Sequence, residues 1–173
     1  MAVIIRRRRL AADNWQLLEA AADGAAPGVL PAGDIIVPLA WWLASRGALL
    51  ARTGRLGVWL NSHEDPALIA GDLQHFALVA VNFPQFTDGR GCSIARLLRE
   101  RHGWQGELRA IGDVFRDTLY YLARCGFDTF TLRAGEDAQA ALTAFDDFSD
   151  AYQTAADRPL PLFRRRLADA LSA

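Results

Sequence analysis

Lysine is absent from this chain of 173 residues, and all 19 of its basic side chains are therefore arginine. A lysine Schiff base, a lysine-linked pyridoxal phosphate and a Walker-type phosphate loop each need an amine on a defined lysine, so these three kinds of site are excluded. Cysteine is scarce too, since Cys92 and Cys125 lie far apart and form no Cys-x-x-Cys pair. The chain alone cannot supply a four-thiolate cluster or zinc site, and we expect no metal and no other cofactor.

Long apolar runs are also missing. None reaches the roughly 20 residues that a membrane-spanning helix requires, and the N-terminus lacks the charged-then-apolar order of a signal peptide. These absences predict a cytoplasmic protein with reduced thiols and no membrane partner.

The net charge of -1 leaves no basic surplus for a polyanion. The four consecutive arginines from Arg6 to Arg9 are consistent with nucleic-acid binding, and equally with an edge strand guarded by charge or with a protein contact. Because no nucleic-acid-binding module is recognisable, we favour the second interpretation and expect no nucleic-acid partner.

The N-terminal region, 1–33, is predicted to hold a short strand or hairpin and a connection. Val3 to Ile5 favours a strand, whereas Leu10 to Leu18 fits either a second strand or a loose helix. The stretch from Ala21 to Gly33, with its prolines and glycines, is predicted to be a flexible connection. The remainder, 34–173, is predicted to be a single α/β domain with a basic C-terminal arm, apolar enough at 51% hydrophobic residues to bury a core.

From residue 34 onward, short apolar runs alternate with longer amphipathic ones. The predicted strands are Asp34 to Val37, Leu56 to Leu60, Phe76 to Val81, Leu108 to Ile111 and Thr129 to Leu132. The predicted helices are Leu39 to Arg52, one capped by Asp65, Ser93 to His102, one capped by Asp113 and ending at Cys125, and Asp137 to Tyr152. This rhythm predicts an α/β fold of about five βα units forming a mainly parallel sheet flanked by helices, either an open sandwich or a partial barrel.

Ligands of such folds bind at the carboxyl ends of the strands. The loops that follow the second, third and fourth strands therefore supply the candidates, and we expect Asn61 and His63 to converge there with the residues of the later loops. No residue can be assigned a catalytic role, and the sequence leaves open whether the chain is an enzyme. The candidate ligand-binding or partner-binding residues are Asn82, Phe86, Thr87, Asp88, Arg90, Arg109, Asp113 and Arg116.

Arg90, next to the backbone N–H groups at Gly91, is a candidate anion site because charge and helix dipole both favour a negative group there. The alternative is structural: the glycines permit a tight loop and Asp88 caps it. Cys92 near a helix start is either a nucleophilic thiol or a small residue packed under the loop, and Cys125 is predicted to be core.

Two aromatic pairs, Trp41-Trp42 and Tyr120-Tyr121, carry a further prediction. Adjacent residues of a helix cannot both face its own core, so one member of each pair should point away from it. The outward member would mark a homo-oligomer or partner contact.

Four segments of the chain match a known family pattern. Residues 82–91 read Asn-Phe-Pro-Gln-Phe-Thr-Asp-Gly-Arg-Gly, residues 95–99 Ala-Arg-Leu-Leu-Arg, residues 106–114 Gly-Glu-Leu-Arg-Ala-Ile-Gly-Asp-Val, and residues 124–128 Arg-Cys-Gly-Phe-Asp. On these segments the chain resembles the bacterial DUF934 proteins, over most of its length from about Val37 to Arg166.

The resemblance implies a role in sulfite reduction and sulfate assimilation. Family members are described as candidate oxidoreductases of this pathway, and their genes lie beside the gene for sulfite reductase. It implies either an accessory protein that binds sulfite reductase, which we favour, or an enzyme that binds a sulfur oxyanion or phosphorylated ligand at Thr87 to Gly91. Family members usually carry an aromatic residue at position 92, so the resemblance implies no shared catalytic thiol at Cys92.

Overall fold

A computed structural model describes residues 2–19 and 29–171, and it contains one mixed sheet of eight strands, curled into a half barrel and flanked by helices. The strands are β1 (Val3–Arg6), β2 (Arg9–Ala12), β3 (Trp15–Leu17), β4 (Asp34–Pro38), β5 (Leu56–Leu60), β6 (Leu78–Phe83), β7 (Glu107–Gly112) and β8 (Thr129–Phe130). The helices are α1 (Leu39–Leu50), α2 (Arg90–Arg96), α3 (Arg116–Cys125), α4 (Ala138–Ala141) and α5 (Leu162–Leu171). Shorter helical pieces are the 3₁₀ helices Pro66–His75 and Leu142–Asp146 and a π-helical turn, Leu97–Arg101, that continues α2.

The strands from β3 to β8 run parallel and follow one another across the sheet in chain order, which is the arrangement of a (β/α) barrel. Strands β1 and β2 form an antiparallel hairpin whose β1 pairs with β8 through the register Ile5↔Phe130. The α/β class and the partial barrel are confirmed. The prediction of about five units in a mainly parallel sheet is corrected to a mixed sheet of eight strands.

The hairpin escaped prediction in part because its turn is unusual. Arg7 and Arg8 occupy the two central positions with φ of 47° and 61°, the left-handed conformation that two-residue hairpins need and that Asn-Gly normally supplies. Arg7 also donates its N–H to the carbonyl of Asp128. Of the two alternatives for Leu10 to Leu18, the strand is therefore the correct one, and it is split between β2 and β3.

That split places consecutive strands at opposite edges of the sheet. Only Asp13 and Asn14 separate β2, at one edge, from β3, at the other. Three Cα–Cα steps from Ala12 to Trp15 span at most about 11 Å, so the two edges of the sheet lie no farther apart than this where the link joins them.

Helices cover the outer face of the sheet and build the main core with it. Side chains of alternate strand positions, such as Ile35, Val37 and Val79, are fully buried against helix residues such as Leu98 and Leu119. A second, smaller apolar cluster fills the inner face and consists of Trp15, Ile36, Leu78, Ala80 and Ile111, with Trp59 packed against it.

The expectation that one indole of the Trp41-Trp42 pair faces outward is wrong, because their exposed fractions are 3% and 0%. The 3₁₀ helix that follows β5 supplies a second wall for α1. Trp42 packs edge-on against Phe76 at a centroid distance of 4.7 Å and donates its indole N–H to Asp72 at 3.0 Å. The tyrosine pair behaves as expected, with Tyr121 63% exposed.

The final predicted helix, Asp137 to Tyr152, is shorter than expected. Asp137 does cap it, accepting the N–H groups of Gln139 and Ala140, but the helical segment ends at Asp146. Asp146 and Asp147 place negative charge at a helix C-terminus, where the helix dipole disfavours it.

The C-terminal arm ends in a helix that contacts the rest of the protein. Helix α5 is held to the body by Arg165, which donates to Asp150 at 2.7 Å and to the carbonyl of Ala151 at 3.0 Å. Most of the predicted connection from Ala21 to Gly33 lies outside the described residues. In the described part of the chain, no helix has the combined length and apolar character that crossing a bilayer requires.

A glycine at the end of β7 is required by the backbone. Gly112 has φ +93°, and a methyl group there would overlap the Phe83 carbonyl oxygen and the Asn82 side chain. Gly47, in α1, has open space where its methyl group would lie. The same substitution should therefore have opposite effects at the two positions.

We expect Gly112→Ala to lower the free energy of unfolding by about 1–3 kcal/mol through strain and overlap, and Gly47→Ala to raise it by about 0.5–1 kcal/mol. Urea unfolding of both variants measures the difference. Equal effects at the two positions would contradict the assigned backbone conformation of Gly112.

Candidate functional site

Four loops lie along one edge of the half barrel, the one formed by the carboxyl ends of the parallel strands. This edge is distinct from the lateral edges of the sheet, β2 and β3. The register pairs Asn82 with Ile111 and Phe83 with Gly112, so the loops after β6 and β7 start side by side. The loop after β5 lies next to that of β6, and the loop after β8 next to that of β7. This edge is where ligands of such folds bind.

Asp88, Arg90 and Ser62 form a closed polar cluster at this edge. The Asp88 carboxylate accepts the Arg90 Nε at 2.8 Å, the Arg90 Nη2 at 2.7 Å and the Ser62 hydroxyl at 2.6 Å. The same Nη2 also donates to Ser62 Oγ at 3.1 Å. The hydrogen bonds from Arg90, and then the one from Ser62, hold the pKa of Asp88 well below its usual range, and Asp88 in turn raises the pKa of Arg90.

One of the two glycines of this loop has a packing reason: Gly89 has open space where a methyl group would lie, and Gly91 does not. A methyl group on Gly91 would lie 2.6 Å from the Phe83 ring, so only glycine allows α2 to pack this closely on β6. Asp88 also accepts the N–H of Arg90, the first residue of α2, at 3.2 Å. The structural interpretation is thus supported for Gly91 and for the cap at Asp88, and the guanidinium of Arg90 already has a carboxylate partner.

Asn61 and Asn82 meet on the inner side of the same edge. The Asn82 amide donates to Asn61 Oδ1 at 3.0 Å, and Glu64 accepts the N–H of Asn61 at 2.6 Å. Asn82 also lines a cavity of about 290 Å³ at this end of the inner face, together with Leu17, Glu19, Trp59 and Ile111.

Asp113 bridges two loops and does not cap α3 as predicted. Its carboxylate accepts the N–H of Phe86 at 3.0 Å and the Arg133 Nη1 at 3.0 Å, and these two bonds, Arg133 first, lower its pKa. Helix α3 begins two residues later than a cap at Asp113 requires, where the N–H of Phe115 donates to the Thr118 hydroxyl at 3.3 Å.

An aromatic row borders this bridge. Phe86 meets Phe115 edge-on at a centroid distance of 5.6 Å, and the Arg133 guanidinium lies 4.2 Å from the centre of the Phe115 ring. Phe86 is nevertheless 58% exposed. It borders a cavity of about 210 Å³ between α2 and α3, which we call the aromatic pocket and which is lined by Phe83, Phe86, Cys92, Thr118, Tyr121 and Leu122 among others.

The structure does not bring every predicted site residue to this edge. Arg109 lies in the middle of β7 on the inner face, 1% exposed, and pairs with Asp13 at 3.0 Å and Glu107 at 2.8 Å. Arg116 faces the segment after α4, where it pairs with Asp147 at 2.6 Å. Thr87 and His63 lie at the edge with exposed side chains.

Three residues of the edge were missed by the sequence analysis, namely Ser62, Phe115 and Arg133, whereas Tyr121 belongs to a pair that was predicted to supply a contact. Arg133 directly follows the fifth predicted strand, Thr129 to Leu132, so the rule that selected the other loops would have found it had it been applied there. Phe115 gave only an apolar signal, which is typical of core residues. Across residues 2–19 and 29–171, no three His, Cys, Asp or Glu side chains are grouped as a metal site would need.

By its fold and its site, the protein is an α/β half barrel with a polar edge that is built from loops and whose arginines are paired with carboxylates. The chain belongs to the family described as "Bacterial protein of unknown function (DUF934)", whose family model matches residues 57–163. The match extends from β5 into α5 and contains the aromatic pocket and the Asp88 cluster. Searches of the curated proteins and of the solved structures found no match.

The lowered pKa of Asp88 predicts a specific acid response. A carboxyl group whose folded pKa is below its unfolded value of about 3.9 stabilises the fold above that value and loses the contribution as the pH falls toward the folded pKa. Asp88→Asn should therefore be less stable than the natural chain near neutral pH, and the difference should shrink below about pH 4.

Urea unfolding at a series of pH values measures this difference. Glu100→Gln is the control, since Glu100 pairs with Arg96 across an exposed helix surface and such pairs contribute little. A stability difference for Asp88→Asn that stays constant down to pH 3, roughly one unit below the unfolded pKa, would contradict the assigned role of the Asp88–Arg90 pair.

Proposed function

We propose that this protein is an accessory protein of assimilatory sulfate and sulfite reduction that acts by binding sulfite reductase or a related component. The pathway rests on the resemblance to DUF934 proteins. The mode of action rests on the aromatic pocket, which presents exposed apolar surface at the strand ends where ligands of such folds bind.

The aromatic pocket has the features of a protein contact. Phe86 and Tyr121 are 58% and 63% exposed and stand at its margins, and large aromatic rings are common anchors of protein interfaces. Its lining is mainly apolar, so an apolar side chain of a partner would be buried there without leaving a polar group unpaired. A volume of about 210 Å³ suits one such side chain better than a cofactor.

The paired arginines favour this role over the enzymatic alternative, in which a sulfur oxyanion or phosphorylated ligand binds at Thr87 to Gly91. Arg90 is held by Asp88, Arg133 by Asp113, and Arg116 by Asp147. An oxyanion would have to displace a carboxylate that is already hydrogen-bonded to the arginine. Its binding would gain only the difference between the interaction energies of the two anions with the guanidinium group. A partner that recognises apolar shape leaves these pairs intact.

The proposal includes a location and an assembly state. Binding to sulfite reductase would place the protein in the cytoplasm, as its composition predicts. A homo-oligomer formed through the same exposed aromatics is a competing use of the surface, and the binding experiment below distinguishes the two.

The experiment measures binding of the purified chain to immobilised sulfite reductase. We expect Phe86→Ala to weaken binding about tenfold or more, since an exposed aromatic anchor at an interface contributes about 1.4 kcal/mol or more. Leu50→Ala is the matched control. Leu50 is 46% exposed, but it is the last residue of α1, which runs away from the carboxyl ends of the strands. Its replacement should leave the affinity for the reductase unchanged.

Two further measurements separate the alternatives. In the accessory role, neither the natural chain nor Arg90→Ala should bind sulfite. Sulfite binding by the natural chain that is lost in Arg90→Ala would support the enzymatic role. Light scattering of the chain alone shows whether Phe86→Ala dissociates a homo-oligomer. Absence of binding to the reductase, with calorimetric binding of sulfite at the natural Arg90, would refute the accessory role.

A further inference from the structure

The two cysteines of the chain, far apart in sequence, come together between α2 and α3. Cys92 lies in the first turn of α2 and Cys125 is the last residue of α3, and these helices pack against each other. Both thiols are free and buried in the same apolar cluster. Tyr121 lies beside both of them, lining one cavity with Cys92 and another with Cys125, and each thiol shifts the pKa of the other, as expected of direct neighbours.

Tyr121 stands beside the pair and separates two entrances to it. On one side, Tyr121 and Cys92 line the aromatic pocket. On the other side, Tyr121 and Cys125 line a cavity of about 300 Å³ that also includes Arg96, Arg124 and Gln153. The thiols therefore differ in their surroundings, since Cys125 has guanidinium groups close by and Cys92 has the aromatic pocket.

These surroundings assign different acidities to the two thiols. The hydrogen bond with Cys92 lowers the pKa of Cys125, and so do the Tyr121 hydroxyl and the positive charges of Arg96 and Arg124, against the opposing effect of burial. The pKa of Cys92 is raised by its contact with Cys125 and by burial. Cys125 is accordingly the thiol that ionises first, and Cys92 the one that keeps its proton.

We propose that Cys92 and Cys125 form a redox-active dithiol site that is oxidised to an intramolecular disulfide by a small-molecule disulfide such as glutathione disulfide. Cys125 is the attacking thiol and Cys92 the resolving thiol. Tyr121 is a positioning residue that donates a hydrogen bond to the Cys125 sulfur. The site stands on the packing of α2 and α3 and does not depend on the proposed binding to sulfite reductase.

The reaction consists of two thiol–disulfide exchanges. The Cys125 thiolate attacks one sulfur of glutathione disulfide, so that a mixed disulfide forms and one glutathione thiolate leaves. Cys92 then gives up its proton and attacks the Cys125 sulfur, which expels the second glutathione thiolate. The protein loses two electrons and two protons, and glutathione disulfide is reduced to two molecules of glutathione.

A purely structural role for the cysteines makes a different prediction. Buried cysteines that only fill space are inert toward small disulfides and are found in apolar surroundings. Here the sulfur of Cys125 has a phenol donor, two arginines and a second thiol within its reach, and a cavity leads to it. Space filling requires none of these groups.

The test incubates the full, folded chain with excess glutathione disulfide, then denatures it, alkylates the remaining thiols and measures its mass. We expect the natural chain to take up no alkyl group, because neither thiol remains. Its mass should be that of the unalkylated reduced chain less two hydrogen atoms, and dithiothreitol should reverse this change. Cys92→Ser should stop at one glutathionyl group on Cys125. In Cys125→Ser, Cys92 should react with glutathione disulfide at least about tenfold more slowly than Cys125 does in Cys92→Ser.

Tyr121→Phe keeps the ring and removes only the hydroxyl group, so it separates positioning from packing. In the Cys92→Ser background it should move the pH midpoint of Cys125 alkylation upward, because the thiolate loses a hydrogen-bond donor. Tyr120→Phe, one residue earlier in α3, is the control and should leave the midpoint in place.

Four outcomes would overturn the proposal. They are retention of both thiols after incubation, a glutathionyl group that persists on the natural chain, a disulfide that joins two chains, and equal reactivity of Cys92 and Cys125 in the single variants. If Cys92→Ser does not fold, as judged by its circular dichroism, the mass of the oxidised natural chain and its reversal by dithiothreitol still decide the question.

Discussion

A link of two residues, Asp13 and Asn14, constrains the shape of the whole sheet. It joins strands that lie at opposite edges, and its short reach forces the sheet to curl until those edges approach each other. Asp13 also accepts both hydrogen bonds of the Arg109 Nη1 atom at 3.0 Å. A buried guanidinium needs such partners, so the link both closes the half barrel and neutralises the charge inside it.

The regular part of the fold could be predicted because it rests on local signals. Strand and helix alternate with a turn residue or cap at each boundary, and those signals locate β4 to β8 and the helices between them. An N-terminal strand or hairpin was predicted, but its exact strands and their places at the edges of the sheet were not, because β3 has three residues and the hairpin turn uses Arg7 and Arg8 in place of the usual Asn-Gly. In those places, contacts across the barrel decide the structure and local propensity does not.

The candidate site was predictable to the same extent. The rule that ligands bind at the carboxyl ends of strands selected Asn82, Phe86, Asp88 and Asp113, which do lie at one edge. Arg109 was predicted on another ground, as a charge that could neutralise a bound anion, and it lies instead in the middle of β7, where Asp13 and Glu107 pair with it. Pairing partners were also beyond reach, since nothing in the sequence connects Asp113 with Arg133, or Ser62 with Asp88, before the loops are placed together.

The closure of the half barrel has a consequence for how the chain folds. Strand β1 pairs with β8 through Ile5 and Phe130, and Asp13 reaches an arginine 96 positions away. The N-terminal hairpin therefore has no partner for its inner edge until β8, which ends at Phe130, has been synthesised. We expect the parallel units to assemble first and the hairpin to dock last, so that ring closure, which carries the largest loss of chain entropy, is the slow step of folding.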